Sequence, residues 1–191
     1  MLYNFAKGLF YAYFSIFNKV TVKGAQNIPD SGGVVLCPNH IHWMDPILIA
    51  VYTKRKIHFM AKVELFKNNF FAMILKDLAA FPVKRGRPDI SAIKTSFNVI
   101  KSGEILGIFP EGTRSRSGKL LPAEPGVALI SIKTHSPVIP IRITGSYGLF
   151  KRLYIYIGKP ISYSEFENEK LSVSKISELS QNIMHEISKL G

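Results

Sequence analysis

The chain holds a single cysteine, Cys37, among 191 residues. No disulfide can form within it, so nothing in the fold asks for an oxidising compartment. No base stands near that thiol in sequence to activate it, and it reads as core packing. The chain has no internal repeat, no low-complexity segment and no long linker, which excludes solenoids and arrays. It also lacks an uninterrupted run of the roughly 20 apolar residues that a spanning helix needs. Apolar residues still make up 47%, which excludes a disordered chain. The length suits one domain, large enough to bury about 70% of the unfolded surface.

Acidic residues are scarce. Thirteen Asp and Glu face 25 Lys and Arg, for a net charge of +12. The excess is uneven: Glu165 to Gly191 carries five acids against three bases, which leaves +14 on the first 164 residues. Such an excess points to an anionic partner: nucleic acid, anionic lipid, or an acidic carrier protein or cofactor. No zinc-finger spacing and no basic-aromatic strand motif is present, so no nucleic-acid module is recognisable.

The first residues favour lipid. Met1 to Lys19 reads MLYNFAKGLFYAYFSIFNK, with Leu2, Phe5, Leu9, Tyr13, Ile16 and Phe17 near helical spacing. Aromatics crowd it, and Lys7 interrupts it. A signal peptide would carry its charge first and end at small residues. An aromatic-rich, basic helix of borderline length suits the headgroup region. The alternative is a helix docked on the core. Residues 1–19 are expected as this interface helix and 20–191 as the main domain.

Further on, strands and helices alternate. Strands are expected at Val20–Lys23, Val34–Cys37, Ile57–Ala61, Ala79–Val83, Ile105–Phe109, Val138–Ile143 and Leu153–Ile157. Helices are expected at Pro46–Tyr52, capped by Asp45, and within the apolar stretch Glu64–Leu78. Others fall at Asp89–Ser102, opened by Pro88-Asp89, at Pro125–Thr134, and at Ser172–Leu190. The alternation predicts an α/β fold: a mixed, largely parallel central sheet flanked by helices. Such folds place chemistry at the carboxyl ends of strands.

Two polar clusters fall there. The first, Asn39-His40-Ile41-His42-Trp43-Met44-Asp45, follows the strand ending at Cys37. With a turn between them, Asp45 can bond one ring nitrogen of His40 and leave the other as a general base. Alternatives stand beside this: a helix cap and an ordinary loop histidine, or a metal site using His40, His42 and Asp45. His58 and His135 add no supporting spacing. The second cluster, Phe109-Pro110-Glu111-Gly112-Thr113-Arg114-Ser115-Arg116-Ser117-Gly118, follows the strand at Ile105. Its glycines, hydroxyls and arginines suit an anion-binding loop. Nine bases between Lys54 and Arg87, against Glu64 and Asp77, add to the positive potential.

Together the clusters resemble the glycerolipid acyltransferases, most closely the bacterial 1-acyl-sn-glycerol-3-phosphate acyltransferases. The resemblance rests on Asn39-His40 with Asp45, then Phe109-Pro-Glu-Gly-Thr-Arg114. Lys62–Phe66 leading to Phe81–Arg85 is similar to a second family block, and Val138–Ile141 to a fourth. The match runs from about Gly24 to Lys159. Departures occur at Ala79-Ala80, at Lys84 and at Leu121–Pro125; they bear on chain and acceptor preference.

The resemblance implies that His40 deprotonates the sn-2 hydroxyl of a lysophosphatidic acid and that Asp45 orients His40. The acyl donor would be a thioester of acyl carrier protein or coenzyme A, with no metal and no other cofactor. Arg114, with Gly112 and Thr113, would bind the acceptor phosphate, and Lys62 and Arg85 would add potential. Glu111 would contact the acceptor or hold Arg114. His42 and Trp43 read as packing or interface residues, and Leu65–Leu78 as acyl groove or ordinary core. The implied location is peripheral, on the anionic cytoplasmic face of the cell membrane.

Overall fold

The computed structural model describes residues 2–84, 86, 89–166 and 169–191. Helix α1 (Leu2–Phe17) runs straight into strand β1 (Asn18–Lys23). There follow β2 (Val34–Pro38), α2 (Asp45–Tyr52), β3 (Ile57–Lys62), α3 (Asn69–Asp77), β4 (Phe81–Val83) and α4 (Ile90–Lys101). The chain ends with β5 (Ile105–Gly107), α5 (Gly126–Thr134), β6 (Val138–Gly145), β7 (Lys151–Ile157) and α6 (Val173–Ser188). The strands form one sheet in the order β1-β7-β6-β2-β5-β3-β4. Every pairing is parallel except β6 with β7. This is the expected α/β class.

The side-chain period of two explains the layers. On β2, Val35 and Cys37 face a core shared with α4, α5 and α6, through Val99, Val127 and Ile183. Val34 and Leu36 face the opposite core, closed by Phe14 of α1 and by Leu48 and Ile49 of α2. A central strand buried on both faces reads as a continuous apolar run, as this one does. Cys37 is fully buried, and burial pushes its thiol up out of the reactive range, consistent with packing.

Several boundaries differ from expectation. The stretch Glu64–Leu78 is not one helix. A 3-10 turn (Val63–Phe66) precedes α3, which starts afresh because the Asn68 side chain accepts from the N–H groups of Phe70 and Phe71. The strand expected from Ala79 starts only at Phe81, because Ala79 holds a positive φ of 62°. Strand β5 stops at Gly107, two residues early, as the chain turns into the second cluster. Asp89 and Ser172 cap α4 and α6 as their side chains suggest; Pro88 lies outside the described residues.

Helix α1 has two unlike faces. Phe14 is fully buried, Lys7 Nζ donates to the Thr53 carbonyl, and Tyr3 Oη accepts from the Ile57 N–H at 3.1 Å. On the other side Phe5, Leu9 and Ile16 are 70, 60 and 64% exposed. Among the described residues no helix is long and apolar enough to cross a membrane.

Candidate active site

Strands β6, β2 and β5 are neighbours and run parallel, so their carboxyl ends share one edge of the sheet. The loops that leave them meet there. Asn39 pins the first loop to β6: its Oδ1 accepts from the Ile143 N–H at 2.6 Å and its Nδ2 donates to the Ile143 carbonyl at 3.1 Å. His40 follows, 7% exposed.

The chain turns between His40 and Asp45, as a bond between them requires. Asp45 is not the cap of α2, contrary to expectation. Met44 takes that position and Asp45 is the first helical residue. Its carboxylate instead turns back over the loop. Oδ2 accepts from His40 Nδ1 at 2.8 Å and from the N–H groups of Ile41 at 2.6 Å and His42 at 2.7 Å. Oδ1 accepts from the Tyr147 hydroxyl at 2.6 Å. Asp45 has no solvent exposure. Four converging donors compensate for a buried negative charge that would otherwise cost several kcal/mol (on the order of 3–5 when a partner is lost). With Nδ1 engaged as donor, Nε2 is the ring nitrogen left to accept a proton. The His40 ring stacks on Phe109, with centroids 4.0 Å apart, which holds its plane.

The second loop is laced to the first. Glu111 is 4% exposed, its Oε1 accepts from the His40 N–H at 2.7 Å, and its Oε2 accepts from the Leu121 N–H at 3.0 Å. The carboxylate therefore braces the backbone of His40; burial raises its pKa against the opposing pull of those two N–H bonds. The Ser115 N–H donates to the His40 carbonyl at 2.8 Å. Gly112 turns with φ 64°, and a Cβ there would stand 3.1 Å from the Glu124 side chain. Thr113 and Arg114 are exposed on this loop.

His40 and Arg114 both line one cavity of about 540 Å³. Lys62, at the carboxyl end of β3, lines it too, with its ammonium 3.5 Å from Glu64 Oε1. Arg85 lies outside the described residues. Away from His40 the walls turn apolar, through Phe10 of α1, Ala50 of α2, and Leu65, Leu75 and Leu78. Of the stretch Leu65–Leu78, only Leu65, Leu75 and Leu78 line the cavity, and Leu65 is 54% exposed. The size is ordinary for a small-molecule or lipid-chain site. A smaller cavity of about 350 Å³ is lined in part by Arg116, Arg142, His42 and Tyr147.

Not every base in the positive region faces a ligand. The Arg55 guanidinium donates to the carbonyls of Pro29, Gly32 and Gly103, and so ties two turns together. His42 stacks on Tyr147 at 4.1 Å, and its pKa is lowered. Burial is the main cause; Asp45 pulls the other way, and Arg114 and His40 add to the lowering. Among the described residues no three His, Cys, Asp or Glu side chains gather as a metal-holding group.

Sequence reasoning missed Tyr147, the stack on Phe109 and the bracing by Glu111. Tyr147 follows β6, and only the neighbouring of β6 with β2 brings it to Asp45. The signal available was its place just beyond a strand end, which becomes informative once the strand order is known.

This edge is equipped to take a proton from an alcohol held beside an anion and an apolar chain. That is the opening half of acyl transfer to a lipid-like acceptor, the class of chemistry the site suits. Comparison with known proteins agrees: the acyltransferase family model matches residues 19–144, and the chain belongs to that family. It is 36% identical to the 1-acyl-sn-glycerol-3-phosphate acyltransferase of Bacillus subtilis, over 86% of this chain and 85% of that relative. It is 32% identical to the protein of that name from Streptococcus pneumoniae, over 100% of this chain and 73% of that one. Among solved structures, it resembles the 1-acyl-sn-glycerophosphate acyltransferase PlsC of Thermotoga maritima. The TM-score is 0.74 at 26% identity, covering 97% of this chain and 79% of that one.

Proposed function

We propose that the chain moves a fatty acyl group from a thioester to the sn-2 hydroxyl of 1-acyl-sn-glycerol 3-phosphate, making phosphatidic acid. One observation carries the reading: His40, bonded to the buried Asp45 at 2.8 Å, lines the same apolar cavity as Arg114. The names of the relatives point to this acceptor.

In this scheme His40 Nε2 takes the proton from the acceptor hydroxyl as its oxygen bonds to the thioester carbonyl carbon. The imidazolium that forms is stabilised by Asp45. The tetrahedral adduct then collapses, the carbon–sulfur bond breaks, and the thiolate leaves with the proton returned by His40. Arg114 pairs with the acceptor phosphate; a planar two-pronged donor suits that group. Gly112 and Thr113 shape the loop, and Lys62 adds positive potential at the cavity mouth. An acyl chain lies along Leu65, Leu75 and Leu78. The thioester of acyl carrier protein or coenzyme A is the only co-substrate.

The protein sits at an anionic membrane surface as a peripheral enzyme on the cytoplasmic side. The exposed Phe5, Leu9 and Ile16 of α1 support this, as do Phe70, Phe71 and Met73 of α3, all more than half exposed. Both helices border the cavity, so lipid can pass between them from the interface. Large exposed apolar area beside a lipid site suits a membrane better than water.

A panel of lysolipids offered with each donor tests the reading. Phosphatidic acid is the expected product. Acylation of a different lysolipid, or of glycerol 3-phosphate alone, would reassign the acceptor. Exhaustive chelation should leave turnover unchanged; a loss that zinc restores would favour a metal hydrolase instead.

A further inference from the structure

We propose that Tyr147 is a positioning residue for acyl transfer, holding the Asp45 carboxylate in the plane that aligns His40. The inference rests on the acyl-transfer reading and extends it to a residue outside both motifs. Three of the four donors to Asp45 reach Oδ2. Among the described residues, Oδ1 accepts only the hydroxyl of Tyr147, at 2.6 Å. With one oxygen held and the other loose, a carboxylate can rotate about its last bond. A donor on each oxygen stops that rotation. Tyr147 is thus the fourth corner of the clamp, and it comes from a different strand end than the other three.

The tyrosine is itself fixed. Its ring stacks on His42 at 4.1 Å with planes 22° apart, and the His42 ring accepts from the Met44 N–H at 3.3 Å. Phe14 of α1 packs 6.4 Å from the same ring. Burial and the Asp45 charge both push the phenol up, so it keeps its proton and stays a donor. Among the described residues, His42, Glu111 and Arg114 act on the site electrostatically, and Arg116 and Arg142 line the cavity beside Tyr147; the test variant changes none of them.

Tyr147→Phe removes the hydroxyl and keeps the ring stack. Loss of a hydrogen bond to a buried charge should lower kcat by roughly ten- to a hundredfold. KM for acceptor and donor should stay within about twofold, because Tyr147 acts through Asp45. An Oδ1 with no partner makes the carboxylate more basic, which favours the His40 imidazolium. The acid limb of kcat/KM should therefore move up, by about half a pH unit. In an Asp45→Asn background the same change should cost almost nothing further.

Two readouts do not depend on turnover. The His40 Nδ1–H proton resonance should be displaced in Tyr147→Phe if the clamp reaches the imidazole. If wild type itself makes no phosphatidic acid, the acyl-transfer reading fails, and this resonance still tests the clamp. Should Tyr147→Phe fold poorly, Tyr147→Gln retains a donor and should keep more activity than Tyr147→Leu. A lowered Tm with unchanged kcat, acid limb and resonance would make Tyr147 merely structural. So would full additivity with Asp45→Asn, or equal loss in the Gln and Leu variants.

Discussion

The His40 edge of the sheet and the outer face of helix α1 are built on opposite plans. At the His40 edge, three parallel strands deliver three loops whose polar groups bond to one another. Asp45 accepts four donors, Glu111 two, and the Ser115 N–H closes onto His40. On the outer face of α1, Phe5, Leu9 and Ile16 are exposed apolar side chains. Proton transfer needs atoms held to a fraction of an ångström, and a sheet edge supplies that rigidity. Contact with a fluid surface needs only area and aromatics, and a surface helix supplies those.

The sharpest way to break the comparison is to remove the base. His40→Ala should lower kcat/KM by about 10³-fold or more, within the range for a lost general base. Its thermal unfolding should stay cooperative. Near-normal turnover in the purified variant would take His40 out of the chemistry. Arg114→Ala comes next. Its side chain is exposed, so the effect should fall on the acceptor KM, raised roughly ten- to a hundredfold if a charged hydrogen bond is lost. An unchanged KM would free Arg114 from the phosphate.

Helix α1 carries the contrast within itself. Deleting it would confuse its two faces, because Phe14 fills the core beside Leu48 and Ile49. Phe14→Ala should destabilise the protein by about 3–5 kcal/mol, the usual cost of emptying a buried phenylalanine site. Exchanging Phe5, Leu9 and Ile16 together for serine should leave Tm nearly unchanged. It should weaken sedimentation with anionic vesicles by roughly tenfold, at a fraction of full burial for each side chain. Equal sedimentation of this variant and wild type would remove the outer face from membrane contact.

Much of this was legible beforehand, for physical reasons that can be named. The short apolar run Val34–Cys37, led by two valines, reads as a buried strand, Pro88-Asp89 marks a helix start, and the three-and-four spacing of Ile176, Leu179, Ile183 and Ile187 marks another helix. The His40–Asp45 pairing was open from spacing alone, since five residues fit a bond only if the chain turns. The turn exists because the N–H groups of Ile41 and His42 close on the same carboxylate, a cooperation that no local pattern displays. The same limit hid the break at Asn68, where a side-chain cap restarted a helix inside one apolar stretch. Tyr147 was invisible for a different reason. Its partner lies 102 residues away and becomes a neighbour only through the β6–β2 pairing.

The smallest expected effect separates two imidazoles two residues apart. His42 is partly exposed, and burial lowers its pKa below the ordinary 6.5. Below pH 6.5 the unfolded chain takes up a proton at this position before the folded chain does. Stability is therefore lost as pH falls from 6.5 toward the lower folded value, and none is lost above it. His58, lowered by burial and by Lys56, contributes in the same direction. Solvent screening at a half-open site keeps each contribution small. His42→Gln retains an acceptor for the Met44 N–H and should shrink the fall in Tm between pH 7 and pH 5 by about 1 °C. The acid limb of turnover, measured well below Tm, should stay where His40 sets it. If that limb moved with His42→Gln while Tm did not, the assignment of the two rings would have to be exchanged.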